Sequence, residues 1–272
     1  FKDKKLCDIT PKDVICWQNE IMKQTSRRDK EFSPTYLKTV HNQLSAIFNY
    51  AVRYYGLKDN PARIAGCMGK ETNGEMQFWT KEEYMKFSKA MMKKDGVFQA
   101  FEMLYWCGIR LGEMLALTPS DFDFEKKTVR INKSYQRLHG KDIITDPKTA
   151  KSNRVVQMPD FLADEMQDYI SRFYTIEPDE RIFILTKSFL HHEMDRGCKE
   201  TGVKRIRIHD LRHSHVSLLI EMGFTAVDIA NRVGHESVKI TYRYAHMFPS
   251  KDEAIAKKLT DIRGGAFDEQ KE

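Results

Sequence analysis

Residues 98–117 read FQAFEMLYWCGIRLGEMLAL, apolar almost from end to end and long enough for about five helical turns. The pattern predicts a buried helix over roughly 97–117, with Arg110 near its middle or at a break introduced by Gly108. A guanidinium in so apolar a segment needs a partner or a task. Upstream, Thr80 followed by Glu83 forms a capping box, and Tyr84, Phe87 and Met91 continue a helical stripe behind it. Downstream, residues 127–138, 141–145 and 153–158 alternate polar and apolar side chains between turn signals and predict a small antiparallel sheet. Lys148 falls in the connection DPKTAKS between the last two strands. Helices are expected at about 160–174 and 187–199, then from His209 to Met222, ending at Gly223. Thr225 with Asp228 opens a short helix, and Ser237 opens the segment that carries Tyr242 and Tyr244.

The first seventy residues read as helical. Thr10 with Pro11, and Ser33 with Pro34, each pair a capping residue with a proline suited to the first helical position. After Ser33, Leu37, Val40, Leu44, Ile47, Phe48, Ala51 and Tyr55 recur at spacings of three and four and predict one buried stripe. Lys38, His41, Asn42 and Arg53 lie mostly off that stripe, on a face that is either simply solvated or laid against phosphates. Residues 66–77, GCMGKETNGEMQ, hold three glycines and little periodicity, so the boundary between two domains is placed there.

A chain of 272 residues can bury two cores. Its net charge of +6 suits a polyanionic partner without requiring one. Residues 1–77 carry 13 Lys and Arg against nine Asp and Glu, so the smaller part is the more basic per residue. Five scattered cysteines with no CxxC pair point to a reducing compartment and no structural zinc. No apolar run approaches a membrane span of about 20 residues, and no signal-peptide pattern opens the chain, so a cytoplasmic location is expected. The opening FKDKKLCDIT reads as mid-protein sequence.

Arg110, Lys148, His209, Arg212, His235 and Tyr244 together supply what metal-free phosphodiester chemistry requires. Two guanidiniums can clamp phosphate oxygens, a Lys or His can donate a proton to a leaving oxygen, and a tyrosine can attack phosphorus and hold it covalently. Other readings compete. His209 and His213 have the i, i+4 spacing of a zinc pair, but Asp210 stands where the metalloprotease pattern needs Glu. Leu211 to Val233 has the outline of a helix-turn-helix reader, a reading that leaves Arg110 and Lys148 without a task. Tyr242 and Tyr244 are both candidate nucleophiles by chemistry, and at a spacing of two they do not share a helical face. A P-loop, HExxH, GxSxG and acidic pairs for Mg²⁺ are absent from the sequence.

GIRLGE (108–113), HDLRH (209–213) and GHES (234–237) followed by TYRYAHM (241–247) resemble the three boxes of the tyrosine recombinase, or phage-type integrase, family, in particular the integrases of conjugative transposons. The resemblance implies that Arg110 and Arg212 clamp the scissile phosphate, that Glu113 supports the site, and that His209 and His235 assist. The family pattern of Tyr, a small residue, then His selects Tyr244 over Tyr242 as nucleophile. PKTAKSNR resembles the hairpin that carries the catalytic lysine, with Lys148 the first choice and Lys151 the fallback. Residues 1–70 resemble the helical core-binding domain. The small arm-binding domain that precedes it in many relatives is not visible.

The resemblance implies a mainly α fold with a small antiparallel β-sheet: a helical core-binding domain (1–70), a linker (71–77) and an α+β catalytic domain (78–250) forming a C-shaped clamp on DNA, then a tail (251–272) that docks on a neighbouring protomer. The implied activity is site-specific strand exchange through a 3′-phosphotyrosyl intermediate, with no cofactor, metal or ATP. The implied partners are double-stranded DNA at specific sites and three further copies in a synaptic tetramer, with monomers or dimers off DNA and no membrane. Lys38, His41, Asn42, Arg53, Lys151 and Arg154 are the expected DNA contacts. The rivals are a type IB topoisomerase and a non-catalytic helix-turn-helix regulator. Because AIAKKLTDI (254–262) is amphipathic, deleting residues 251–272 is expected to leave duplex binding nearly unchanged and to reduce synaptic assembly, as read by band-shift and light-scattering measurements. Unchanged assembly would refute a docking tail.

Overall fold

The computed structural model describes residues 1, 3–26, 29–70, 76–147, 150–247 and 260. The chain divides into two compact units, Phe1–Glu75 and Met76–Glu272. Residues 71–75 of the expected linker, the tail apart from Thr260, and Lys148 lie outside the described residues.

The first unit holds α1 (Pro11–Lys23), α2 (Pro34–Tyr54) and α3 (Pro61–Ala65). Each begins with a proline behind a side-chain cap from Thr10, Ser33 or Asn60. Asn60 does more than cap: its amide donates to Ser45 O at 3.0 Å and Asn49 Oδ1 at 2.8 Å, tying α3 to α2. Ile9, Val14, Phe48 and Ala62 form the core. The buried stripe of α2 differs from the one the spacing predicts. It runs through Leu37, His41, Phe48 and Ala51, while Ile47 and Tyr55 are exposed. His41 lies four residues from Leu37 and seven from Phe48, so it shares their face. Its burial is compensated by Gln18 Nε2 at 3.2 Å from Nδ1.

The second unit is mainly helical around two small antiparallel sheets among the described residues. It contains α4 (Lys81–Met91), α5 (Val97–Trp106), α6 (Leu111–Met114), β1 (Phe122–Asp123), β2 (Thr128–Ile131), β3 (Ser134–Leu138), β4 (Lys141–Thr145), β5 (Arg154–Gln157), α7 (Asp160–Ser171), α8 (Lys187–Thr201), α9 (Asp210–Glu221), α10 (Ala226–Val233) and α11 (Val238–Thr241). A 3₁₀ turn, Tyr242–Met247, follows. The capping box of Thr80 and Glu83 starts α4, and that of Thr225 and Asp228 starts α10.

Of the two placements the sequence allows for Arg110, the break at Gly108 is the one found: 97–117 forms α5 and α6, and the Gly108 φ of 61° ends the right-handed helix. One element departs from the sequence reading: the single sheet splits into β1-β2-β5 and β3-β4. Residues 127–138 divide after Ile131, and Lys133 turns back to bond Asp121 Oδ2 at 2.6 Å.

The main core gathers Trp79, Tyr84, Phe87, Phe101, Leu104 and Tyr105 with apolar residues from α6 to α9. Buried Glu102 accepts from Tyr84 Oη, Ser88 Oγ and Trp106 Nε1 at 2.6, 2.6 and 2.8 Å, which compensates its desolvation. Where α8 crosses α4, a Cβ on Gly197 would stand 2.5 Å from Phe87 Cε2 and 2.6 Å from Met91 Cε. The Gly197→Ala variant is therefore expected to lose about 1–3 kcal/mol of stability despite alanine's better helix propensity, read as a lower urea midpoint.

Candidate active site

The break at Gly108 builds the site. Arg110 stands at the N-cap of α6 in extended conformation, outside the regular helix. Glu113, one turn on, accepts from the Arg110 backbone N at 3.0 Å and from its Nη1 at 2.6 Å. The other guanidinium end of Arg110 reaches the carbonyl of Gly234, just before His235, at 3.5 Å. The Gly108 carbonyl accepts from Arg212 Nη1 at 2.7 Å. A Cβ at Gly108 would lie 2.4 Å from the His215 ring, so no other residue fits that approach.

Arg212 projects from the first turn of α9 and is 4% exposed. Burial, then the charges of Arg110 and Arg154, push its guanidinium down to about 9, against Glu113 and Tyr244. It remains a cation near neutral pH. Its Nη2 is buried with no hydrogen-bond partner among the described residues. A buried cationic donor left unsatisfied is a position built for an anion.

His209 caps α9 and is exposed, with its ring edge-on to His213 at 5.2 Å. His235 is buried after α10, its Nδ1 2.8 Å from Thr241 Oγ1. Burial, then Arg212 and Arg110, hold it neutral by pushing it down to about 3. Tyr244 is 2% exposed and packs with Val216, Ile220, Ile229 and Val233, whereas Tyr242 is exposed. The Tyr244 hydroxyl is hydrogen-bonded to His213 Nδ1. Burial pushes the phenol up to about 12, with Arg212 pulling the other way. Arg110, His209, Arg212, His235 and Tyr244 thus gather around α9. Lys148 falls outside the described residues. Lys151 is exposed on the loop before β5.

Of the residues expected to meet DNA, Asn42 and Arg53 are exposed and Lys38 is half-buried. His41 points into its own unit, as described above. Arg154 is drawn inward as well: its side chain is 7% exposed. Its donors go to Glu113 Oε2 at 2.9 Å, the Arg232 carbonyl at 3.1 Å and the Ser152 carbonyl at 3.1 Å. His41 is thus buried with Nδ1 bonded to Gln18, and Arg154 has all three guanidinium nitrogens bonded to protein atoms.

Sequence reasoning missed Arg232 and His213. Arg232 joins His215 Nε2, the Gln157 carbonyl and the Trp106 carbonyl, each at 3.1 Å, pinning α10 to α9, β5 and α5. Nothing in its local sequence signals this. His213 carried a signal, its i, i+4 spacing from His209, but the partner it meets is Tyr244 rather than a metal. Among the described residues, no group of three or more His, Cys, Asp or Glu side chains is placed to hold a metal ion. Arg110 and Glu113 also line a cleft of about 520 Å³ with Lys133, Gln136, Asp146 and Gly234.

The model of the phage integrase family matches residues 77–251. The ICEBs1 integrase of Bacillus subtilis (strain 168) is 31% identical over 269 residues, covering 90% of this chain and 73% of the relative. A XerC-like tyrosine recombinase of Caldanaerobacter subterraneus is 25% identical over 258 residues, covering 83% and 66%. In fold, the chain resembles the Tn1549 transposon integrase in complex with transposon right end DNA, with a TM-score of 0.72 at 17% identity over 94% of this chain and 87% of that one. The chain belongs to the phage integrase family, the tyrosine recombinases. No helix among the described residues is long and apolar enough to cross a membrane.

The buried imidazoles make stability depend on pH. His213, His215 and His235 are pushed down to about 4, 3 and 3, first by burial. Below pH ~6.5 the unfolded chain takes up protons that the folded chain refuses, so stability is full above that pH and falls as pH drops. Glu165 works in the opposite sense, pushed up to about 7 by burial and the charge of Glu102. His41 and His209, also pushed down first by burial, act in the same sense as these three imidazoles, so a net loss on the order of 3 kcal/mol or more is predicted between pH 7 and pH 5, checked by urea unfolding at both values.

Proposed function

We propose that the chain is a site-specific DNA recombinase that breaks and rejoins strands through a covalent 3′-phosphotyrosyl intermediate on Tyr244, without metal or ATP. The observation that carries this reading is the buried Nη2 of Arg212, which has no hydrogen-bond partner among the described residues and is set among Arg110, His235 and Tyr244. A phosphate seated there would satisfy it, and the two guanidiniums would stabilise the charge that grows on the phosphoryl oxygens during attack. Tyr244 forms the bond to phosphorus and the 5′ oxygen leaves. His209 and His235 assist by hydrogen bonding, Glu113 holds Arg110 in place, and Lys148 supplies the leaving oxygen's proton. The bond energy kept in the phosphotyrosyl ester lets a second strand rejoin.

The substrate is duplex DNA at specific sites, and both the helical domain (1–70) and the catalytic domain (78–250) contribute contacts to it. Exposed Asn42 and Arg53 belong to the surface that meets phosphates. The working assembly is a tetramer on two duplexes, in the cytoplasm. The integrase and recombinase names among the relatives favour strand exchange over simple relaxation or a purely regulatory role. The Tn1549 integrase and a XerH recombinase bound to difH substrate were each solved with DNA, which supports DNA as the ligand.

A pool of nicked, random-sequence duplexes offered to the full chain tests the reading, with denaturing gels to reveal covalent capture. Capture of a specific subset is expected, abolished in Tyr244→Phe and retained in Tyr242→Phe. Failure to capture any duplex would refute the reading, and loss in Tyr242→Phe alone would move the nucleophile. Indiscriminate capture with plasmid relaxation and no exchange would indicate a topoisomerase.

A further inference from the structure

The hydroxyl of Tyr244 has a specific partner that the roles assigned so far leave unused. His213 sits one residue beyond Arg212 on α9, and its Nδ1 is hydrogen-bonded to that hydroxyl. The two rings lie 5.7 Å apart, inclined at 52°. On its other side the imidazole faces a carboxylate: Nε2 is 3.8 Å from Asp210 Oδ1. Asp210 is 1% exposed and held in place by the Arg207 backbone N at 2.8 Å and Arg207 Nη2 at 2.7 Å. Tyrosine, imidazole and carboxylate therefore stand in a row, the order in which a nucleophile, its base and the base's orienting group are arranged.

The surroundings decide which way the proton points. Burial, then His209, Arg207 and Arg212, disfavour a cationic His213, and Asp210 alone opposes them. His235 faces the same imidazole from the segment after α10. A neutral imidazole has one N–H and one lone pair. The Asp210 carboxylate favours the N–H on Nε2, which leaves the Nδ1 lone pair aimed at the Tyr244 hydroxyl. His235, by contrast, has its Nδ1 occupied by Thr241.

We propose that His213 is the general base for the nucleophile: its Nδ1 accepts the Tyr244 hydroxyl proton as the phenolic oxygen attacks phosphorus. This inference rests on Tyr244 being the nucleophile. One O–H bond breaks and one N–H bond forms on His213, while the O–P bond to Tyr244 forms and the P–O5′ bond breaks. The 5′ oxygen is protonated separately. The imidazolium so made faces Asp210, which stabilises it. In rejoining, the DNA 5′-hydroxyl attacks and His213 returns the proton to the departing tyrosine oxygen, so no net proton is consumed there.

The test uses the full chain and a nicked duplex that the wild type captures, made both with the ordinary 5′ oxygen and with a 5′-bridging sulfur that leaves without protonation. His213→Ala removes the base. His213→Asn keeps a hydrogen-bonding atom near the Nδ1 position but cannot carry the proton at neutral pH. Both are expected to slow single-turnover capture roughly 100-fold or more at pH 7 on both duplexes. Their rates should climb about tenfold per pH unit where the wild type is flat, because the phenol must then ionise unaided. A full rate in His213→Asn, rescue of either variant by sulfur, or a pH profile parallel to the wild type would overturn the proposal. So would faster capture in His213→Ala, which would make the contact a restraint on the tyrosine. Should both variants unfold, ¹⁵N spectra of the wild-type imidazole decide: an Nε2–H tautomer supports the base, and an Nδ1–H tautomer overturns it. Absence of capture by the wild type, or capture by Tyr244→Phe, would instead refute Tyr244 as the nucleophile.

Discussion

A buried carboxylate shared between two guanidiniums ties together the face of the second unit that carries the candidate site. Glu113 takes Arg110 on one oxygen and Arg154 on the other, with the Arg110 backbone N closing the set. Arg154 in turn holds the carbonyls of Arg232 and Ser152, and Arg110 reaches that of Gly234. One short helix, one strand and the end of α10 are thereby fixed to a single point. Charge-assisted hydrogen bonds of this kind are among the stronger polar contacts in proteins, and removing one partner would strand a buried charge. Burial raises the Glu113 carboxyl, but the two guanidiniums and the backbone N prevail and hold it below its usual range.

Around that point the second unit separates two kinds of cation. Arg154 has its donors committed to protein atoms and contributes charge without reaching outward. Arg212 buries one nitrogen that has no hydrogen-bond partner among the described residues. Arg110 stands between the two, anchored through Glu113 yet with a side chain 40% exposed. The imidazoles beside these cations are held neutral first by burial and then by the same crowding, since a further positive charge would be repelled there.

The glycine at the break between α5 and α6 is the backbone counterpart of the carboxylate. Its left-handed conformation turns the chain, its carbonyl receives Arg212, and its missing side chain admits His215. The apolar run that looked like one long helix is therefore two, and the arginine that appeared stranded in it lies at the opening of the second.

Helix starts were legible in the sequence wherever a cap and its partner lie within a few residues: Thr10 with Pro11, Thr80 with Glu83, Thr225 with Asp228. The box residues Arg110, His209, Arg212, His235 and Tyr244 were legible as ordered motifs because each motif is a short local pattern. What the tertiary structure decided is where polar side chains point. His41 and Arg154 turned inward, and His213 met Tyr244, through partners 23, 41 and 31 residues away. Arg212 found its carbonyl 104 residues away. Periodicity records how much of a face is apolar, but the burial of a charge depends on which distant group arrives to satisfy it. That information exists only once the chain has folded.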